Sequence, residues 1–236
     1  MTVYLPIVLK SEEGVGDIGT PPPPTPAFVG AVDVSLDPYD SASDEVDEVF
    51  VANYGAGTLS VLQGDTEVGV IAGFTKPYGV AYNPVNNRIY VTDEATGELV
   101  IIDPSLHTIV NRLGGLDRPR GVGIDRNTGT AFVASPGWSG TGAVRVYTLS
   151  DVTTASQGTL INSVGVGPSW VAVDPDTHKA FVTLQGEANY GLAVIDGVDP
   201  GYPVTYVGLN TPGAFGITFN PSNRRLYVAS GTGSIL

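Results

Sequence analysis

Lys76 to Asp103 reads KPYGVAYNPVNNRIYVTDEATGELVIID, and this layout returns four more times along the chain. It resolves into short runs, Gly79–Tyr82, Ile89–Thr92 and Glu98–Asp103, rich in β-branched and aromatic residues. Between them lie Asn83–Arg88 and Asp93–Gly97, rich in the Asn, Pro, Asp and Gly that supply turn geometry. A fourth run follows at Thr108–Leu113. Such runs are strands, the turns between them are tight, and four strands make one antiparallel unit.

The other copies keep the order. Inner strands are expected at Ala31–Leu36, Gly79–Tyr82, Gly121–Ile124, Trp170–Val173 and Gly216–Phe219, each followed by Asp or Asn and usually Pro. Middle strands follow at Val49–Ala52, Ile89–Thr92, Ala131–Ala134, Ala180–Thr183 and Leu226–Ala229, and third strands at Leu59–Leu62, Leu99–Asp103, Val144–Leu149 and Leu192–Asp196. Four-stranded antiparallel units repeating at about 40–45 residues are the sequence signature of β-propeller blades. The expected fold is therefore all-β, a propeller over residues 31–236 with four complete blades and part of a fifth. No long stretch carries helical periodicity with caps.

The runs Phe50-Val51-Ala52-Asn53, Tyr90-Val91-Thr92-Asp93 and Val100-Ile101-Ile102-Asp103 resemble the YVTN family of β-propeller repeats over about residues 31–236. The resemblance implies a surface or secreted protein, often adhesive or layer-forming, with no catalytic signature to carry over. This chain departs from the family pattern at the fourth residue of the motif, where Asp93, Ser135, Leu184 and Ser230 stand.

Residues 1–10 read as a lone β-strand in which Val3, Tyr4, Leu5, Ile7, Val8 and Leu9 are apolar and Pro6 restricts it to an edge. The segment lacks the basic region and small-residue cleavage site of a signal peptide. Residues 11–30 form a linker whose Pro21–Pro26 stretch favours polyproline II. The spare strand is expected to complete the unfinished fifth blade, either in its own ring or head to tail in a neighbouring copy, giving a homo-oligomer or filament. A piece of a longer propeller, for example a seven-bladed one, is the alternative.

With 11 basic against 24 acidic residues, the net charge of −13 repels nucleic acid and anionic membranes. The absence of Cys removes thiol chemistry and Cys-ligated metals. No run of roughly eighteen apolar residues is present to span a membrane. Scarce Lys among many Gly, Thr and Ser points to an extracellular or cell-surface address.

Blade topology brings the loops that enter the inner strands and the loops between second and third strands onto one face. That face is expected to gather Tyr54, Tyr78, Arg120, Trp138, Trp170, Tyr190 and Phe215 as a platform for a glycan or a surface protein. Packing between blades is the plainer role for the same aromatics. An apparent insertion, DPYDSASDEVDE, places Asp40, Asp44, Glu45 and Asp47 close together as calcium candidates, although no EF-hand spacing is present and a solvated acidic loop is the favoured reading. No other metal and no cofactor is expected.

An enzyme of the lactonase or lyase kind would draw on Asp33, Asp93, Glu94, Arg120 and Glu187. His107 and His178 are expected on the opposite face, away from such a centre. The reading that results is a non-enzymatic structural or interaction protein.

Overall fold

The computed structural model describes residues 31–137, 141–154, 156–186, 191–209 and 213–230. The lone strand and linker expected at 1–30 lie outside them, as do Trp138, Glu187 and Tyr190. The described residues form a β-propeller with four complete four-stranded antiparallel blades and a further two-stranded sheet.

The first blade comprises β1 (Pro38–Ser43), β2 (Glu48–Asn53), β3 (Thr58–Gln63) and β4 (Thr66–Ile71), and the second β5 (Pro77–Asn83), β6 (Arg88–Asp93), β7 (Glu98–Asp103) and β8 (Thr108–Leu113). The third holds β9 (Val122–Ile124), β10 (Ala131–Ser135), β11 (Thr141–Tyr147) and β12 (Thr159–Val166), with a short helix α1 (Leu149–Thr154) before its last strand. In the fourth are β13 (Pro168–Asp174), β14 (Lys179–Leu184), β15 (Gly191–Asp196) and β16 (Val204–Gly208), and the last sheet pairs β17 (Ala214–Asn220) with β18 (Arg225–Ser230).

The middle strands β6 and β10 are buried on both faces because their blades are sandwiched between two others, and the period of two decides which neighbour a side chain meets. In β6, Ile89 and Val91 pack with Phe50, Leu59 and Val61 of the first blade. Tyr90, between them in sequence, packs with Val122, Ile124 and Val133 of the third. The pattern repeats in β10, where Ala131 and Val133 face back and Phe132 and Ala134 face forward. This double burial explains the continuous apolar runs, each large side chain contributing roughly 1.5–3 kcal/mol of transfer free energy.

Two expectations are corrected. The first inner strand is Pro38–Ser43, whereas Ala31–Val34 has no regular structure. Ser41 pairs with Val51 as Val80 pairs with Val91, so Asp37-Pro38-Tyr39 is the counterpart of Lys76-Pro77-Tyr78. With the strand in its place, the acidic insertion disappears: Asp40 lies within the inner strand, and Asp44–Asp47 is the ordinary turn. The third strand of the third blade also ends earlier than expected, at Tyr147, and Leu149 starts α1. There Thr148 and Asp151 bond reciprocally, the Asp151 carboxylate accepting from the Thr148 amide at 2.8 Å, a capping arrangement that lets six residues turn helical.

The Asp or Asn after each inner strand serves the turn. Asp44 Oδ1 accepts from the amides of Val46 and Glu48, both at 3.0 Å, and Asn83, Asp125, Asp174 and Asn220 accept from the amide two residues on in the same way.

Candidate functional site

The inner strands β1, β5, β9, β13 and β17 surround a central channel. At its lower end a cavity of about 440 Å³ is walled by Ala42, Tyr82, Ile124, Val173 and Phe219, and Glu45 of the first blade pairs with Arg126 of the third there. The upper end opens into a cavity of about 720 Å³ whose walls include Tyr39, Asp40, Tyr78, Trp170 and Phe215.

Local sequence puts the aromatics there. An X-Pro step precedes the inner strands at Pro38, Pro77, Pro119 and Pro168, favouring extended backbone before each strand. Tyr39 and Tyr78, which follow the first two of these prolines, line the mouth. The Tyr39 ring lies 4.8 Å from Tyr54 and 4.8 Å from Tyr78, and Tyr78 lies 5.6 Å from Trp170, so the rings run continuously from the first blade through the second to the fourth. Tyr39 and Phe215 remain about half exposed, at 49% and 50%.

Behind the rings, Glu94 is a buried junction. Its Oε2 accepts from the Tyr54 hydroxyl at 2.8 Å, and its Oε1 from Arg118 Nη2 at 2.9 Å and Arg120 Nε at 3.1 Å. Desolvation works to raise the Glu94 carboxyl, but the Tyr54 hydroxyl and the two guanidinium groups outweigh it and hold it below the usual range. Arg120 also lies over the Tyr78 ring at 5.4 Å, and Lys76 Nζ over Tyr54 at 4.9 Å. Burial, foremost, pushes the Tyr78 hydroxyl up to about 12.

Asp40 stands on the channel wall. Its Oδ2 accepts from the Val80 amide of the next blade and its Oδ1 from the Ser41 amide, each at 2.8 Å. Burial pushes its carboxyl up to about 7 despite these two bonds.

Of the expected platform, Tyr54, Tyr78, Arg120, Trp170 and Phe215 lie at this mouth. Tyr39 and Asp40 were not assigned to it by the sequence reading. The signal that would have found them is the Pro38-Tyr39 step, which repeats Pro77-Tyr78. The calcium candidates Asp44, Glu45 and Asp47 share one turn, where each has another partner. Asp44 is occupied by turn amides, Glu45 by Arg126, and Asp47 accepts from Gln63 at 2.7 Å, while Asp40 lies within the channel. Among the described residues no group of three His, Asp or Glu side chains is gathered as a metal site.

Of the expected acid–base residues, Glu94 and Arg120 bond each other, and Glu187 lies outside the described residues. Asp33 is exposed ahead of β1, and Asp93 accepts from the amides of Thr75 and Lys76 at 2.7 and 3.0 Å. His107 and His178 lie toward the lower end, paired with Glu48 and Asp125.

No family model matches the chain, and no curated protein does. Solved structures do. A chain of Kuenenia stuttgartiensis hydrazine synthase aligns at 15% identity and a TM-score of 0.62, covering 87% of this chain and 77% of that one. A chain of a nidogen/laminin complex aligns at 14% identity and a TM-score of 0.65, covering 83% and 72%. A functionally unknown protein from Desulfotomaculum acetoxidans DSM 771 aligns at 15% identity and a TM-score of 0.67, covering 88% and 71%. At these identities the likeness establishes the β-propeller fold and nothing finer. No helix among the described residues is long and apolar enough to cross a membrane.

Proposed function

We propose that this chain is a non-enzymatic interaction propeller of the extracellular or cell-surface kind, and that the aromatic mouth of its channel is the ligand seat. The observation that carries this reading is the continuous set of rings Tyr39, Tyr54, Tyr78 and Trp170 around an open cavity. Flat apolar faces beside fixed polar groups suit a ligand with both characters, such as a glycan or a loop of a surface protein. The resemblance of the repeats to the YVTN family supports the address. A binding role is favoured over turnover because Asp93 and Glu94 are occupied by amides and guanidinium groups, and both histidines are paired away from the mouth. The test is a glycan array and surface-protein panel probed with the full-length chain. Binding lost on Trp170→Ala, with the circular dichroism spectrum unchanged, supports the reading, and binding indifferent to Trp170→Ala overturns it.

A second reading, assembly by strand addition, is favoured by β18. Among the described residues it pairs only with β17, and Arg225, Tyr227 and Ala229 are exposed where the middle strands β6 and β10 are almost wholly buried. Val3, Tyr4, Leu5, Ile7, Val8 and Leu9 would supply the missing pairing, from the same chain or from a neighbour. Deleting Met1–Pro24 is then expected to convert oligomers into folded monomers in sedimentation velocity. Oligomers that survive the deletion exclude the intermolecular form.

A further inference from the structure

Asp40 breaks a rule that the other inner strands keep. Directly ahead of the paired residues Ser41, Val80, Val122, Val171 and Ile217 stand Asp40, Gly79, Gly121, Trp170 and Gly216, and of these Asp40, Trp170 and Gly216 line the upper channel. Only the first blade places a charge there. It lies on the wall of the mouth cavity together with Tyr39, Tyr78, Trp170 and Phe215, and among the described residues no cationic side chain forms an ion pair with it. Holding a carboxylate on a cavity wall shared with four aromatic side chains, with two amides but no counter-ion as partners, is costly, and a bound cation would remove that cost.

Aromatic faces surrounding a carboxylate are the chemistry that holds an organic cation. The ring quadrupoles attract the charge, alkyl groups on nitrogen shed water easily, and the carboxylate neutralises it. Rings at this mouth already act so within the protein, Tyr54 toward Lys76 and Tyr78 toward Arg120. The net charge of −13 concentrates cations around the molecule. An uncharged ligand would leave Asp40 without a counter-ion, and an anion would be opposed by it.

We propose that the mouth is a site for an organic cation, a quaternary or alkyl ammonium group seated on Tyr39, Tyr78 and Trp170 with Asp40 as its counter-ion. This rests on the reading of the mouth as the ligand seat and names the class of ligand. The titratable groups that line the cavity with Asp40 are Tyr39 from β1 and Tyr78 from β5, and the charged Arg120 and Glu94 lie next beyond Tyr78. Tyr78 stays neutral up to about 12 and Asp40 titrates at about 7, so affinity for a cation of fixed charge rises between about pH 6 and pH 8.

The experiment titrates the full-length chain with choline, and in parallel with its neutral carbon isostere 3,3-dimethylbutanol, following Trp fluorescence and heat. The expected result is a preference for choline of about tenfold at pH 8. That preference disappears in Asp40→Asn and in Asp40→Gly, the latter carrying the residue that three other blades tolerate, and Trp170→Ala weakens both compounds. An isostere that matches choline, or a glycan bound at the mouth without any choline binding, overturns the cation assignment and leaves the mouth as a ligand seat. No binding of either compound, together with a blank glycan array and protein panel, overturns both.

Discussion

Arg224 of the last sheet grips Asp174 of the fourth blade through two hydrogen bonds, Nη2 to Oδ2 at 2.6 Å and Nη1 to Oδ1 at 3.1 Å. The same positions are joined around the lower face. Asp125 of the third blade is bonded by His178 of the fourth at 2.6 Å, and Asn83 of the second donates to the Gly129 carbonyl of the third at 2.8 Å. In these three pairs Asp174 and Asp125 meet a guanidinium and an imidazole, and Asn83 meets a backbone carbonyl. His178 and Arg224 adopt left-handed backbone at φ 56° and 59°, a conformation costing about 1 kcal/mol for a non-glycine residue that these contacts offset.

Arg224→Ala is expected to destabilise the propeller by about 1 kcal/mol at pH 7, measured by urea unfolding. Desolvation works to raise the Asp174 carboxyl, but Thr177, the Asp176 amide and Arg224 together hold it below the usual carboxylate range. A depressed folded-state pKa contributes stability that is present above the unfolded value of about 4 and lost as pH falls through the folded one. The difference between wild type and Arg224→Ala should therefore shrink as pH falls below the unfolded value of about 4, and a gap that does not shrink on acidification would contradict the ion pair.

Asp40 predicts the opposite slope. Its folded pKa of about 7 lies above the unfolded one, so the folded state holds a proton that the unfolded state has released. Stability falls as pH rises from about 4 to about 7 and then levels. Asp40→Asn should raise stability by about 2 kcal/mol at pH 8 and leave it almost unchanged at pH 4, read from melting temperatures across that range.

Thr92 Oγ1 accepts from the Gly79 amide at 2.8 Å and donates to the Arg120 carbonyl of the next blade, and Thr183 makes the matching pair with Trp170 and Phe215. The Thr of the repeated motif is thus a bridge between blades. Thr92→Val strands a buried amide and carbonyl and is expected to cost about 2 kcal/mol, while Thr92→Ser recovers most of it. A larger loss for Thr92→Ser than for Thr92→Val would show that the methyl group, not the hydroxyl, matters.

Gly79 and Gly114 separate a packing glycine from a permissive one. A Cβ at Gly79 would run into the Arg120 carbonyl of the neighbouring blade, whereas nothing lies within 4 Å of one at Gly114. Gly79→Ala should lower stability by about 2 kcal/mol and Gly114→Ala should shift it by less than about 0.5 kcal/mol in the same unfolding assay.

The strands were legible because each middle strand is a short, largely apolar run between turn residues, as Arg88–Asp93 shows. The first inner strand was not, because Val32, Val34 and Leu36 alternate as a strand would, and local pattern has no term for which segment reaches β2. Misplacing that strand made Asp40 look like part of a calcium loop. Trp170 and Tyr78 could be assigned to one face from blade order, but their 5.6 Å approach across the channel could not.

The sequence alone determined the repeat, the turns and the identity of residues able to occupy the inner strands, since period-two burial and Asx turns are local properties. Only the tertiary structure decided that Lys76–Asp103 sits between two blades, with alternate side chains of β6 serving different neighbours. It alone placed Asp40 beside Tyr39, Tyr78 and Trp170, because the ring brings to one opening residues that are far apart along the chain, and their electrostatics exist only once they meet there.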